Sequence, residues 1–370
     1  MQSSSNRPWI LRLTVVQFSG SMHPDYEISN TQADGQSLSC AQKTLMIKKS
    51  IFFGTILFLW HLQAIASNQY IPGDIEKLLV LPENQIDVGM VALTLAKEVY
   101  SNLDVAAYSR KIDVLADKVK QLANGTRDPE QRIRVLNTVL FRMEGFHYDR
   151  DPFSRSKQEY RYLNGVLDTK QGICYSLPLL YVAVAQRVGY PVYPVQAPDH
   201  MFVRYSDPAF KEQNIETTSG GKYFEDEWYI KDFAIGKKGL ASGSYMRTLT
   251  YREFLGVMLE VNAGFHFDKM IGIKGITYLE NARLHNPKHA DTYNELGRAY
   301  LAMSKVVNAE WAAKFQFSSE QYVKKAKELG YVSQTEISPT EMRSDRRGCG
   351  RKMRDRTEYR ARILAPGVNA

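Results

Sequence analysis

The spacing of hydrophobic residues along the chain changes from helical to strand-like and then back to helical. Between residues 86 and 145, apolar residues recur every three or four positions, which predicts three amphipathic helices. The second, at 103–122, is expected to end at Asn124-Gly125. The third is expected to begin with Asp128 as its N-cap and Pro129 as its first helical residue. All three are predicted to pack in a core.

Beyond residue 172 the pattern is that of buried elements. A nearly continuous apolar run over 176–188 predicts a buried helix, which Gly189 and Pro191 should stop. Four strands are then predicted, at 192–195, 200–205, 213–218 and 222–230. Helices followed by one buried helix and antiparallel strands indicate an α+β fold.

The last part of the folded chain is predicted to be helical. The segment 293–300 has the tyrosine, leucine-glycine and tyrosine spacing of the start of a tetratricopeptide repeat, and 282–287 fits the end of a preceding repeat. We therefore predict a helical region over 275–332 that is TPR-like, in which Gly297 would let two helices approach closely. An ordinary helical hairpin is the alternative.

The positive charge of the chain is concentrated near its end. The formal net charge is +8, and the stretch 343–362 alone supplies +6, from nine Lys/Arg against three Asp/Glu. Residues 333–370 are therefore predicted to be a basic, disordered tail. Because the tail lacks interleaved aromatic residues and any known binding module, no nucleic-acid binding is expected.

Residues 46–66 have the order of a secretory signal peptide. A positive pair, Lys48-Lys49, precedes an apolar run at 51–60, and Ala64-Ile65-Ala66 fits the small-x-small rule for signal peptidase. The run is shorter than the ~20 residues of a membrane-spanning helix, so no stable span is expected. A periplasmic or secreted protein is predicted; the alternatives are tethering by an uncleaved signal and a buried helix of the fold.

The position of this signal affects how the start of the chain is interpreted. Met46 stands at its beginning and is expected to be the true start, which would make residues 1–45 a misassigned extension. Residues 67–85 are expected to form an extended lead-in to the first domain.

The three cysteines, Cys40, Cys174 and Cys349, are far apart in the chain. There is no CxxC or Cys/His cluster, so neither a metal site nor any other cofactor is expected. Cleavage of the signal would remove Cys40, and Cys349 lies in the polar tail. A single buried thiol in an exported protein suits a reactive cysteine.

Cys174 and His200 are the strongest candidates for chemistry. Cys174 lies where a loop enters the buried helix, and the positive end of a helix favours a thiolate. His200 begins a predicted strand after a turn and could take the thiol proton as a base. Glu216 and Asn214 lie two apart on the next strand, so they face the same side, and either could orient the imidazole. A small core cysteine is the structural alternative.

Several segments, taken in order, resemble the transglutaminase-like (papain-like cysteine) superfamily, and its bacterial SirB-type branch in particular. The matching segments are 128–132, 162–167, 172–177, 198–204 and 214–218. The resemblance implies a domain at 86–235 with a central helix bearing Cys174, packed on an antiparallel sheet bearing His200. It also implies a Cys-His-Asp type triad, in which Glu216 would replace the usual aspartate.

The same resemblance implies two different functions. The first is acyl transfer or amide hydrolysis of a protein or peptide substrate through a cysteine thioester. The Cys174 backbone N–H and Gln171, which is near Cys174 in sequence, are the candidate oxyanion donors. The second is a non-catalytic binding module, because members of this branch often lack the nucleophile. In that case the TPR-like helices would dock a protein partner.

Overall fold

The computed structural model describes residues 70–151, 157–270 and 272–332. The predicted extension at 1–45, the signal peptide at 46–66 and the basic tail at 333–370 lie outside the described residues, as do the first three residues of the lead-in. Within the described ranges, no helix is both long enough and apolar enough to cross a membrane.

Four helices come first, and short acidic side chains begin three of them. They are α1 (Gly73–Leu79), α2 (Val88–Ala96), α3 (Val105–Ala123) and α4 (Pro129–Asn137), the last continuing into a wider π-helical turn at Thr138–Met143. The carboxylates of Asp87, Asp104 and Asp128 each accept a hydrogen bond from a backbone N–H of the first turn. Asn124 ends α3 in the left-handed conformation with φ 45°. The predicted cap at Asp128 and the stop at Asn124 are confirmed.

A short parallel strand pair leads into the central helix. The elements are β1 (His147–Tyr148), α5 (Gln158–Arg161), α6 (Leu163–Thr169), β2 (Gln171–Gly172) and α7 (Ser176–Arg187). Strands β1 and β2 pair in parallel, with His147 opposite Gln171. Ten of the twelve residues of α7 are buried, which confirms the predicted buried helix.

A three-stranded antiparallel sheet packs beside α7. Its strands are β3 (Val192–Ala197), β4 (His200–Tyr205) and β5 (Asn214–Ile215), in the order β3-β4-β5. Pro198 and Asp199 form the β3–β4 turn, and Asp199 has a φ of +54°. A proline followed by a residue with positive φ is the pattern of a type II turn. The third strand is shorter than predicted, because residues Thr217–Ser219 form a 3-10 turn.

The predicted fourth strand at 222–230 is wrong. Gly220 and Gly221, with φ of +69° and +83°, reverse the chain, and after a single bridge from Lys222 to Glu216 it forms helix α8 (Asp226–Asp232). The segment is rich in aromatic residues, which favour strands. Tyr229 and Phe233, however, are spaced at i and i+4, so a helical turn brings both rings against β4. Tertiary packing has overridden local propensity here.

Five helices remain in the described part of the chain, and four of them form two packed pairs. They are α9 (Lys237–Ser242), α10 (Tyr251–Asp268), α11 (Gly272–His285), α12 (Ala290–Ser304) and α13 (Ala309–Glu328); α10 packs on α11, and α12 on α13. Tyr293 and Ala326 belong to the same buried cluster as Phe202 of β4. The region at 275–332 is helical as expected, and its likeness to tetratricopeptide repeats stays a prediction.

We expect Gly297→Ala to destabilise the fold. A methyl group at Gly297 would lie 2.6 Å from Val323 Cγ2 and 3.2 Å from the Ser319 carbonyl oxygen, so α12 and α13 would have to separate. Overpacking of this kind typically costs about 1–3 kcal/mol. Gly264→Ala is the matched control, because that helical glycine has nothing within 4 Å of the added methyl, and alanine should stabilise α10 by about 0.5–1 kcal/mol. Urea unfolding measures the change in unfolding free energy in both variants. Equal changes in Gly297→Ala and Gly264→Ala would contradict close packing at Gly297.

Candidate active site

Cys174 lies in a tightly held loop between β2 and α7. The Ile173 N–H donates to Ser176 Oγ at 2.9 Å, and that hydroxyl donates to the Tyr160 carbonyl at 2.5 Å. Gly172 has no room for a side chain, because an added methyl would lie 2.9 Å from Ser176 and Leu177. The loop therefore holds Cys174, 9% exposed, at the N-terminal end of the buried helix.

His200 is brought to Cys174 by the β3–β4 turn. Cys174 Sγ lies 3.8 Å from the backbone oxygen of Asp199, the residue directly before His200. His200 is the first residue of β4 and is 7% exposed. The sharp turn at Pro198-Asp199 thus places the thiol and the imidazole on neighbouring elements, as the sequence predicts.

Glu216 is hydrogen-bonded to His200 in a buried pair. His200 Nε2 lies 2.8 Å from Glu216 Oε2, and each side chain is 3% exposed. The same oxygen accepts from the Tyr229 hydroxyl at 3.2 Å, while Oε1 accepts from the Thr218 N–H at 3.0 Å and the Thr218 hydroxyl at 2.5 Å. Burial opposes ionisation of Glu216, but the charge of His200 and the bonds from His200 and Thr218 outweigh it. The pKa of Glu216 is therefore below its usual range.

The two remaining candidates occupy different surroundings. Asn214 accepts from Arg204 Nε at 2.8 Å and donates to Asp226 Oδ1 at 2.7 Å and to the Phe224 carbonyl at 3.0 Å. Asn214 thus joins β5 to the segment around α8, and the orienting bond to His200 comes from Glu216. Gln171 lies on β2, three residues before Cys174, with its side chain partly buried. Its suggested place in an oxyanion site stays a prediction.

Two aromatic residues around His200 were missed by the sequence reasoning. The Phe233 ring stacks on the imidazole with a centroid distance of 4.6 Å and an interplanar angle of 13°. The ring of Tyr229, which is fully buried, stacks on Phe202 at 3.8 Å. Their i, i+4 spacing places the two rings on one face of a helix and equally of a strand, so it predicts that they lie together but does not choose between the two elements.

Residues 106–260 match the family model of the transglutaminase-like superfamily. The chain carries a transglutaminase-like domain. The predicted α+β fold is therefore confirmed, and the match extends past the domain end predicted at 235. A transglutaminase-like domain supports a cysteine-dependent acyltransferase or hydrolase kind of function.

The transglutaminase-like domain also has distant curated relatives in bacteria. A UPF0162 protein of Pasteurella multocida is 30% identical over 79 residues, which are 21% of this chain and 29% of the relative. A UPF0162 protein of Xylella fastidiosa is 24% identical over 127 residues, 34% of this chain and 44% of the relative. The chain therefore spans less than half the length of these relatives, and the SirB-type branch stays a prediction.

A solved structure of menin is also similar in part. It has a TM-score of 0.34 and 12% sequence identity, and the match covers 68% of each chain.

Proposed function

We propose that the chain is a cysteine-dependent acyltransferase or amide hydrolase in which Cys174 is the nucleophile, His200 the base and Glu216 the residue that orients the base. The observation that carries this proposal is the buried 2.8 Å bond between His200 and Glu216. His200 directly follows Asp199, whose backbone carbonyl contacts the Cys174 thiol. A nucleophile, a base and an orienting acid in this order are the parts of a triad.

The proposed reaction has two steps. The Cys174 thiolate attacks the carbonyl carbon of an amide; the C–N bond breaks, and His200 gives its proton to the leaving amine. Water or a second amine then attacks the thioester carbonyl carbon and gives a proton to His200; the C–S bond breaks, the carboxylic acid or new amide leaves, and the Cys174 thiolate and protonated His200 are restored. Water makes the chain a hydrolase, and an amine makes it a transferase.

The electrostatics of the site support a thiolate–imidazolium pair. The loop holds Cys174 at the positive end of α7, which favours the thiolate. Because Glu216 faces Nε2 of His200, the proton exchanged with Cys174 is carried on Nδ1. The lowered pKa of Glu216 keeps it anionic, so it stabilises the imidazolium that forms.

The oxyanion of the tetrahedral intermediate would be stabilised by two donors. They are the Cys174 backbone N–H and the side chain of Gln171. We further propose that the protein is exported and that its substrate is a protein or peptide.

One observation favours a second candidate function. Cys174 and His200 are only 9% and 7% exposed, so little of either side chain is available to a substrate amide. A non-catalytic binding module, docking a protein partner through its C-terminal helices, would not need access to them.

The pKa of the Cys174 thiol tests the proposal. We expect a value well below the ~8.5 of a free thiol, because the helix end and His200 both favour the thiolate. The measurement is the pH dependence of iodoacetamide alkylation, followed by mass spectrometry at the peptide that contains Cys174. In His200→Ala the value should return to about 8.5 or above. A wild-type value already in that range would indicate an inert core thiol and favour the binding module.

A further inference from the structure

Helix α8 and its C-cap residue Phe233 make three separate contacts with β4 and with Glu216. Asp226 pairs with Arg204 at 2.8 Å, the Tyr229 hydroxyl donates to Glu216 at 3.2 Å, and the Phe233 ring stacks on His200 at 4.6 Å. The reaction as proposed assigns no part to any of these residues. Tyr229 and Phe233 nevertheless contact Glu216 and His200, the orienting acid and the base of the proposed triad.

Tyr229 acts on the charge of Glu216. Its hydroxyl shares the carboxylate oxygen Oε2 with His200 Nε2. Burial and the charge of Glu216 raise the pKa of Tyr229 far above its usual value, so the hydroxyl keeps its proton and donates it. A donor directed at an anion makes the local potential less negative, and a nearby imidazolium is then stabilised less.

Phe233 acts on the imidazole from its face. The two rings are nearly parallel, 13° apart, with centroids at 4.6 Å. An aromatic face attracts a cation within about 6 Å of its centroid, so this contact favours the imidazolium over the neutral ring. Tyr229 and Phe233 therefore act on the same proton in opposite directions.

We propose that α8 and its C-cap residue Phe233 are positioning elements of the site. The Tyr229 hydroxyl weakens the effect of the Glu216 charge on His200, and the Phe233 ring stabilises the imidazolium. Together they set how readily His200 accepts and returns its proton. A base held too strongly in its charged form would be a poor acid toward a leaving amine, and one held too weakly would be a poor base toward the thiol. The inference rests on the proposed function, since it concerns the same imidazole.

The test is an NMR titration of the His200 ring in the full chain. We expect Tyr229→Phe to raise the His200 titration midpoint by about half a pH unit or more, because a hydrogen bond to its partner anion is lost while the ring stack stays. Phe233→Leu should lower the midpoint, because the cation loses the aromatic face. Glu216 is bonded to His200, and the Cys174 thiol lies by the carbonyl of the preceding residue, so both are kept unchanged.

Tyr245→Phe is the matched control. It removes another buried tyrosine hydroxyl bonded to a carboxylate, that of Asp291 at 3.0 Å, and should leave the midpoint unchanged. No shift in Tyr229→Phe, or shifts of the same sign in Tyr229→Phe and Phe233→Leu, would mean that α8 only supports the fold and would overturn the proposal. Tyr229→Phe keeps the buried ring, so it decides the matter alone if Phe233→Leu fails to fold.

The titration also separates this proposal from the proposed function. It reads the proton on His200 whether or not Cys174 reacts. An ordinary thiol pKa at Cys174 would end the proposed catalysis. Opposite shifts of the His200 titration midpoint in Tyr229→Phe and Phe233→Leu would still establish that these two residues control the protonation of His200.

Discussion

Glu216→Gln is expected to slow acylation of Cys174 by about a hundredfold to ten-thousandfold at neutral pH, although the change is nearly isosteric. In the wild-type chain the Glu216 carboxylate accepts four hydrogen bonds, two on each oxygen. An amide can accept on one side only, so its orientation is decided by the donors around it.

The fixed donors force the amide into the unproductive orientation. The backbone N–H of Thr218 points at Oε1 from 3.0 Å and cannot rotate away, so the amide oxygen must occupy that side. The NH2 group then faces His200 Nε2, which has to accept instead of donate. The ring proton moves to Nδ1, the nitrogen that has to receive the proton of Cys174, and the base is held in the wrong tautomer.

Acylation by an activated acyl probe measures this effect, with Cys174→Ala as the blank that gives the labelling at other sites. Asn214→Ala is the discriminating control, because its hydrogen bonds go to Arg204, Asp226 and Phe224. Its effect should be on stability and not on the acylation rate. A large rate loss in Asn214→Ala together with a normal rate in Glu216→Gln would reverse the assignment of the orienting residue.

The sequence predicts the placement of Cys174 and His200 well because local rules suffice for both. A glycine-bounded apolar run predicts α7, and Pro198-Asp199 predicts the turn before β4. The choice between Asn214 and Glu216 depends on strand register, which spacing along one strand does not give. Asn214 pairs with Arg204, so Glu216 lies two residues closer to the turn and reaches His200 diagonally.

Helix α8 shows where local reasoning fails. Its aromatic residues favour a strand by propensity, and the helix exists because Tyr229 and Phe233 find stacking partners on β4. The C-terminal helices show the same limit. Their repeat-like spacing indicates a separate region, yet Tyr293 and Ala326 share a buried cluster with Phe202. Which face such helices cover depends on long-range packing, which periodicity does not contain.

A second buried polar group joins these C-terminal helices to β3. His289, directly before α12, has Nδ1 3.0 Å from Glu260 and Nε2 3.2 Å from Asp291. The side-chain amide nitrogen of Gln196, on β3, lies 2.8 Å from the same Nε2, and a charged ring requires that amide to turn its oxygen toward Nε2. Burial opposes the charged ring, but the charge of Glu260 and hydrogen bonds to Asp291 and Glu260 outweigh it and raise the pKa of His289 to about 10. His289 is therefore a buried cation at neutral pH.

We expect His289→Leu to lower the free energy of unfolding by about 3–5 kcal/mol at neutral pH, because it leaves two carboxylates close together without their shared cation. His285→Leu is the matched control. Burial and nearby Arg252 lower the pKa of His285 to about 4, so that ring is neutral and its loss should cost no more than about 1 kcal/mol. Urea denaturation of both variants gives the comparison; equal losses would contradict a charged His289.

The pH dependence separates the lost charge from lost packing. The pKa of His289 is raised in the folded chain from 6.5 to about 10, so its stabilisation is complete below pH 6.5 and is lost as pH rises through 10. The gap in unfolding free energy between wild type and His289→Leu should therefore narrow by about 1.4 kcal/mol per pH unit across that window. A gap that stays constant with pH would assign the whole effect to packing. A free-energy gap that narrows as pH rises would mean that the proton on His289 stabilises the packing of the C-terminal helices against β3.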